Sequence, residues 1–264
     1  MHSDRIYLMK LSPDDQDNII DQLNALAAKH DYGKIFCKVP EWAKDIFEAA
    51  GYTREATIPG YYKGIASVYF YSRFRSEERR IIKPKRKEAI DKHLALARSK
   101  FNKLSGKKPR AKLNIMKLGH EHADALVVLY REVFDSYPFP IHNPDYLKET
   151  MDSHIDYFGI FEDGALIAAA SSEKDILALN AEMTDFATLP GQRGRGLASA
   201  ILARMEREML DQGYYTLHTI ARAQSAGMNI TFSKLGYEYG GTLVNNTQIA
   251  GRIESMNIWY KRIR

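Results

Sequence analysis

One cysteine, Cys37, is all the thiol this chain has, so no disulfide can close within it. A reducing compartment fits that usage, and a cytoplasmic setting is expected. No apolar run approaches the ~20 residues of a membrane-spanning helix. The opening MHSDRIYLMK lacks the apolar stretch of a secretory signal. The eight histidines form no H-x-E or H-x-x-x-H pair, so no metal site is expected. Two nucleotide-binding signatures are missing as well. The NTP loop G-x-x-x-x-G-K-[ST] does not occur at the glycine-rich turn. Gly194-Arg195-Gly196 lacks the third glycine of a dinucleotide fingerprint and comes too late in the chain for one.

What remains is an ordinary globular balance, 45% hydrophobic and 27% charged, over a length that suits one large domain or two small ones. The net charge of +5 conceals an asymmetry: Arg73 to Lys112 carries +12 and the rest of the chain −7. A basic run of that size raises nucleic acid as a partner. It has almost no aromatics on which bases could stack, so a solvated linker helix is the preferred reading.

The densest signal lies at Asn180–Met205, NAEMTDFATLPGQRGRGLASAILARM: a strand, a Pro-Gly break, a glycine-rich turn and an amphipathic helix. Glycines 194 and 196 allow backbone to approach a ligand closely, and the first amides of a helix have no internal partners. At the positive end of the helix dipole they make a seat for an anion, and a pyrophosphate suits it best. Arg193-x-x-Gly196-x-Ala198 resembles motif A, [QR]-x-x-G-x-[GA], of the GNAT acetyltransferases. The order of elements from Asn114 onward, β-α-α-β-β-β-α-β-α-β-β, is similar to that family's. The resemblance implies an α/β (α+β) GNAT acyl-CoA N-acyltransferase fold, acetyl-CoA as co-substrate and no metal. It also implies that Phe186, Ala187, Thr188, Arg193, Gly194, Arg195, Gly196, Leu197, Ala198, Ser199, Asn229 and Phe232 contact the coenzyme. Many members carry a tyrosine, the acid for the leaving thiolate, where this chain has Phe232. Tyr237, Tyr239, Ser233 or water must then supply that proton.

A second pattern links the two ends of the chain. Phe47-Glu-Ala-Ala-Gly51-Tyr52 is echoed by Phe232-Ser-Lys-Leu-Gly236-Tyr237, and SVYFYSRF by SMNIWYKRI. Residues 1–75 are therefore read as an N-terminal half-GNAT-like αβ unit without motif A. Residues 76–111 form a basic linker helix, striped by Ile90, Leu94, Ala97, Phe101 and Leu104 and ended at Ser105-Gly106. Residues 112–264 form the catalytic domain. The half unit either completes the acceptor cleft or makes a homodimer contact. Within it, Ile6–Leu11 reads as a strand, and Ser12-Pro13 as the cap of a helix burying Ile19, Ile20, Leu23, Leu26 and Ala27. Trp42, Ala43, Ile46, Phe47 and Ala50 read as one helix face.

Acetyl transfer to a lysine-like amine requires loss of a proton at a cost of about 4.6 kcal/mol at pH 7. A carboxylate base meets that need. Ile176–Leu189 reads as the central strand, with Leu177, Leu179, Ala181 and Met183 on its apolar face. Asn180, Glu182 and Thr184 then point to the cleft. Glu182 is the first candidate for the base; Asp185, turned in by a bulge, is the second. The aromatic loop with Tyr137 and Phe139 and the last strands with Asn245, Asn246, Arg252, Glu254 and Asn257 are candidates for reading the acceptor. Over nearly its whole length the chain looks like the GNAT group that acetylates beta-lysine at its distal 6-amine to make a cytoplasmic compatible solute. The stretches that carry this are KIFCKVP, AAGYTREATIPGYYKG, EVFDSYPFPI and MNITFSKLGYEYGGTLVNNT. Acetylation of a protein lysine or polyamine, tRNA-dependent aminoacyl transfer, and a non-catalytic acetyl-CoA-binding module are the alternatives that the residues leave open.

Overall fold

Strand-forming alternation begins almost at once, and the first unit builds β1 (Arg5–Leu8), α1 (Ile19–Lys29), β2 (Lys34–Pro40), α2 (Lys44–Ala49), β3 (Thr53–Tyr62) and β4 (Ala66–Phe74). The computed structural model describes residues 3–104, 113–135, 137, 139–249 and 251–264. The first strand stops at Leu8, short of Leu11. Ser12 does act as a cap, but of a single 3-10 turn over Pro13–Asp15. The polar run Asp14–Asn18 offers no face to bury, so the α-helix starts only where Ile19 supplies one. That helix buries Ile19, Leu23 and Ala27 and leaves Leu26 43% exposed. Trp42 lies in a 3-10 turn ahead of α2 and is 47% exposed, while Ala43 and Phe47 are buried.

Two helices follow, α3 (Glu77–Arg80) and α4 (Pro84–Arg98). The remainder builds β5 (Ile115–Leu118), α5 (Ala123–Val133), α6 (Pro144–Ser153), β6 (Ile155–Glu162), β7 (Ala165–Asp175), β8 (Asn180–Thr188), α7 (Leu197–Asp211), β9 (Thr216–Arg222), α8 (Ala226–Lys234), β10 (Glu238–Ile249) and β11 (Arg252–Arg262). The central strand is shorter than its apolar run suggests. Ile176 and Leu177 sit exposed in the β7–β8 turn, where Asp175 Oδ1 accepts from the amides of Leu177 and Ala178. Of the expected apolar face, Ala181 and Met183 reach the core.

The basic helix α4 is not a solvated linker. Ile90 and Ala97 are buried, the Ala97 carbonyl accepts from Ser233 Oγ at 2.7 Å, and Arg98 lies over the Tyr239 ring. Just beyond it, the amides of Asn102 and Leu104 donate to the carbonyls of Ser233 and Lys234 at the end of α8. The helix ends at Arg98, so Phe101 lies outside it and is 47% exposed. The expected stop at Ser105-Gly106 and the join to the next unit lie outside the described residues.

All eleven strands of the described residues form one sheet, in the order β1-β2-β4-β3-β10-β11-β9-β8-β7-β6-β5. Its two quartets mirror each other. Parallel pairs β1/β2 and β8/β9 each carry one crossover helix, α1 and α7, and each continues into an antiparallel pair, β4/β3 and β11/β10. The quartets meet at β3 and β10, where Gly241 faces Ala56. A Cβ on Gly241 would sit 2.2 Å from the Glu55 carbonyl oxygen, so only glycine admits this approach.

A buried ion pair closes the same junction. Lys34 Nζ donates to Glu55 Oε2 at 2.8 Å and to the Val244 carbonyl at 2.7 Å. Glu55 also accepts from the Val244 amide and the Ser72 hydroxyl. Removing one member of such a pair leaves a buried charge uncompensated. Glu55→Ala is expected to lower stability by about 3–5 kcal/mol, read as a reduced midpoint in guanidinium unfolding.

Candidate active site

The site exists because β8 and β9 part company. They pair in parallel only from Asn180/Thr216 to Glu182/His218. Beyond that point Thr184–Thr188 and Thr219–Arg222 become opposite walls of a cavity of about 670 Å³, well within the range of ligand sites. A bulge on β8 contributes: its register with β7 slips between Ala169 and Ser171, and Asp185 takes φ +53°.

The floor is the start of α7. Gly194 and Gly196 have φ of +84° and +80°, and a Cβ on either would touch nothing. Glycine is needed there for its left-handed backbone. Gly196 occupies the N-cap and has no side chain to cap with, so the leading amides of Leu197, Ala198 and Ser199 stay unpaired. Their dipole end fits a diphosphate, and Arg193, Gly194 and Gly196 line the same cavity.

Several expected coenzyme contacts lie elsewhere. Arg195 turns away and forks onto Glu162 with bonds of 2.8 and 2.7 Å. Ala187 is buried in the core cluster that α5 packs onto the sheet. Asn229 has no free valence: its Nδ2 donates to the carbonyls of Arg222 and Ser225, and its Oδ1 accepts from Asn257 Nδ2 and Trp259 Nε1. It fixes the entry to α8 while Ser225, at the N-cap, faces the cavity. Phe186, Thr188 and Phe232 do line the cavity, Phe232 standing edge-on to Phe186 at 5.5 Å. Tyr237 lies behind Phe232 in the core, Tyr239 Oη pairs with Thr242, and Ser233 is bonded to Ala97. None of these three hydroxyls faces the cavity.

On the acceptor side Tyr137 and Thr184 line the cavity, whereas Phe139 is 55% exposed outside it. Asn180 is buried and donates to the Tyr61 carbonyl, tying the two halves of the molecule together. Asn245 Nδ2 donates to the carbonyls of Glu78, Arg79 and Ile81 and so ends α3. The Asn246 carbonyl holds Arg5. Glu254 is gripped by Arg252 at 2.5 Å and stands 3.8 Å from Arg222, a cation on the cavity wall. These four are scaffold around the site.

The two candidate bases differ in setting. Asp185 lines the cavity and accepts from Ser171 Oγ at 2.6 Å and from the Tyr137 hydroxyl. Burial raises its carboxyl above the usual range, and those bonds offset only part of the rise. Glu182 stands at the vertex of the wedge, its side chain 26% exposed and 3.8 Å from His218. Burial, with Glu173 and Asp185 adding repulsion and Lys38 opposing, pushes its carboxyl up to about 8. His218 is driven the other way, down to about 3, by burial and by Lys38. Glu182 therefore faces a neutral imidazole. Neither His218 nor Lys38 stands out in the sequence, because only the sheet's curvature brings them here. Among the described residues no group of three or more His, Cys, Asp or Glu could hold a metal ion. No helix there is long and apolar enough to cross a membrane.

A family model described as Acetyltransferase (GNAT) family matches residues 123–237. The chain belongs to the GNAT acetyltransferase family, whose enzymes use acetyl-CoA. Beta-lysine N(6)-acetyltransferase of Methanococcus maripaludis is 41% identical over 98% of this chain and 93% of its own. The enzyme of that name from Methanosarcina mazei is 33% identical over 94% and 97%. The fold is shared with the structure of yncA from Salmonella typhimurium with its cofactor acetyl-CoA: TM-score 0.50, 14% identity, 58% of this chain and 95% of that one.

The raised carboxyl has a thermodynamic signature. Native Glu182 keeps its proton up to about pH 8, whereas the unfolded chain releases it near its ordinary value of 4.5. The native state thus binds the extra proton between those values, and stability falls as pH rises through that window. Glu182→Gln lacks this slope. Its melting temperature relative to wild type is expected to climb between about pH 4 and about pH 9. A difference that stays flat would count against the raised carboxyl.

Proposed function

We propose that the protein transfers the acetyl group of acetyl-CoA to the distal 6-amine of beta-lysine, 3,6-diaminohexanoate, by direct attack in a ternary complex, in a cytoplasmic setting. The observation that carries this reading is the near-full-length similarity to two enzymes of that name. It extends across the first 122 residues, which the family model does not reach. Residues 1–75 then act as a half unit and residues 112–264 as the catalytic domain, with 76–111 between them.

Coenzyme, when bound, supplies an activated thioester. The unpaired amides at the head of α7 hold its diphosphate. From Met183 onward the β9-facing edge of β8 has no strand partner, so its amides are free to polarise the thioester carbonyl. Glu182 takes the ammonium proton in its ionised form, a fraction that grows as pH rises toward about 8. Moving a proton from an amine of about 10.4 to an ordinary carboxylate near 4.5 is uphill by about 8 kcal/mol, but to a carboxyl near 8 by only about 3. Asp185 orients the acceptor loop through Tyr137.

Thiol release from acetyl-CoA, followed with a panel of diamines and diamino acids, tests the assignment. Beta-lysine is expected to be the preferred acceptor, with product acetylated at N6. Turnover of other amines while beta-lysine stays inert would sink it. Glu182→Gln is expected to lose roughly 10²–10⁴-fold in kcat while calorimetry still shows coenzyme binding.

A further inference from the structure

The inner face of the first unit bears three cations, Arg5, Lys34 and Lys38. Two are committed. Lys34 is locked to Glu55 and the Val244 carbonyl. Arg5 donates to the Asn246 carbonyl and to Thr247 Oγ1, stacked 5.3 Å above both Tyr7 and Phe36. Lys38, on β2, is different. It is half-buried, has no carboxylate within 4 Å among the described residues, and makes a single long bond of 3.3 Å, to the Tyr61 hydroxyl. A half-buried ammonium held by one phenol is under-satisfied.

Its surroundings lead straight to the chemistry. Tyr61 stands edge-on to His218 at 5.3 Å between ring centroids, and His218 Nε2 is 3.8 Å from Glu182 Oε2. Tyr61 is fixed there because its carbonyl accepts from Asn180, next to the vertex of the wedge, and Gly60 accepts from Thr216. On the far side, Glu173 pairs directly across from Glu182 on β7. The Tyr61–His218 pair thus has a cation from the first unit on one side and two carboxyls from the second on the other. Lys38 lies beyond ion-pair distance of Glu182 yet close enough to oppose its rise and to depress His218.

We propose that Lys38 binds the carboxylate of an amino-acid acceptor whose distal amine lies at Glu182, which makes the first unit part of the substrate site. This rests on the reading of the acceptor as a diamino acid. In beta-lysine six bonds separate the carboxylate carbon from the distal nitrogen, a span of about 7 Å at bond lengths of ~1.5 Å. Its carboxylate would then meet the Lys38 ammonium and its distal amine the Glu182 carboxyl, whereas a diamine would place an ammonium or a methyl group against Lys38.

Matched acceptors test this: beta-lysine against pentane-1,4-diamine, and lysine against pentane-1,5-diamine, each pair differing only by a carboxylate. Wild type is expected to favour the acid of the pair it uses by about tenfold or more in kcat/KM. Lys38→Met should lower kcat/KM for that acid, chiefly through KM, by about tenfold or more beyond whatever loss the matched diamine shows through the altered Glu182. Lys38→Arg should restore part of the preference, which a merely structural role would not do. Equal losses on acid and diamine, or no loss on the acid, overturn the assignment. Were lysine rather than beta-lysine the acceptor, with its carboxylate preference erased in Lys38→Met, the beta-lysine reading would fall and the role of Lys38 would stand. Turnover of diamines alone would overturn both.

Discussion

Everything functional in this molecule depends on two parallel strands that stop pairing. Three residue pairs hold β8 to β9, and then the ladder ends at Glu182 and His218. Had it continued, the wedge would be filled with backbone hydrogen bonds and α7 would point its amides at a closed sheet. Instead the divergence produces three things at once. It opens a cavity, leaves peptide groups with unspent hydrogen-bonding capacity, and strands a half-buried carboxyl at the vertex. The bulge at Asp185 belongs to the same event, since a strand that keeps perfect register with β7 has no reason to turn away from β9.

The second organising element is the seam between halves. Sheet topology lets residues 1–75 continue the catalytic sheet rather than sit beside it, and the seam is made of chemistry that tolerates little change. Gly241 lies against the backbone of Ala56, and Lys34 and Glu55 are sealed between Ser72 and Val244. Asn180 and Thr216 add a second set of ties to the Gly60-Tyr61 corner. These bonds carry Tyr61 and Lys38 to the neighbourhood of Glu182 and His218, which lie far away in the chain.

Local patterns were legible in the sequence because they depend on local physics. The hairpin at Glu162-Asp163-Gly164 forms with positive φ at Asp163 and Gly164, as that turn chemistry demands. Gly196 starts α7, and the strand Ala66–Phe74 has the expected bounds. On β8 alternation singled out Glu182, while Asp185 broke the pattern and needed the bulge that the strand has. What could not be read were allegiances decided by distant residues. Asn180, Asn229 and Asn245 are polar residues near a cleft, and each turns out to be spent on a backbone carbonyl or a side chain from another element. Nothing within a few positions of Asn229 reveals that Trp259 and Asn257 will claim its oxygen. The basic helix misled for a related reason: charge dominates its composition, while a thin stripe of Ile90 and Ala97 decides where it docks.

The pairing of β3 with β10 has an implication for how the chain is made. A ribosome delivers residues 5–74 first, and they form a four-stranded layer whose β3 margin has no neighbour. Its proper partner follows only after the whole coenzyme-binding portion has been synthesised. For that interval the nascent protein exposes an open strand edge, with Lys34 and Glu55 awaiting Val244. A side chain at Gly241 would keep that edge open after synthesis is complete, because its Cβ would collide with the Glu55 carbonyl.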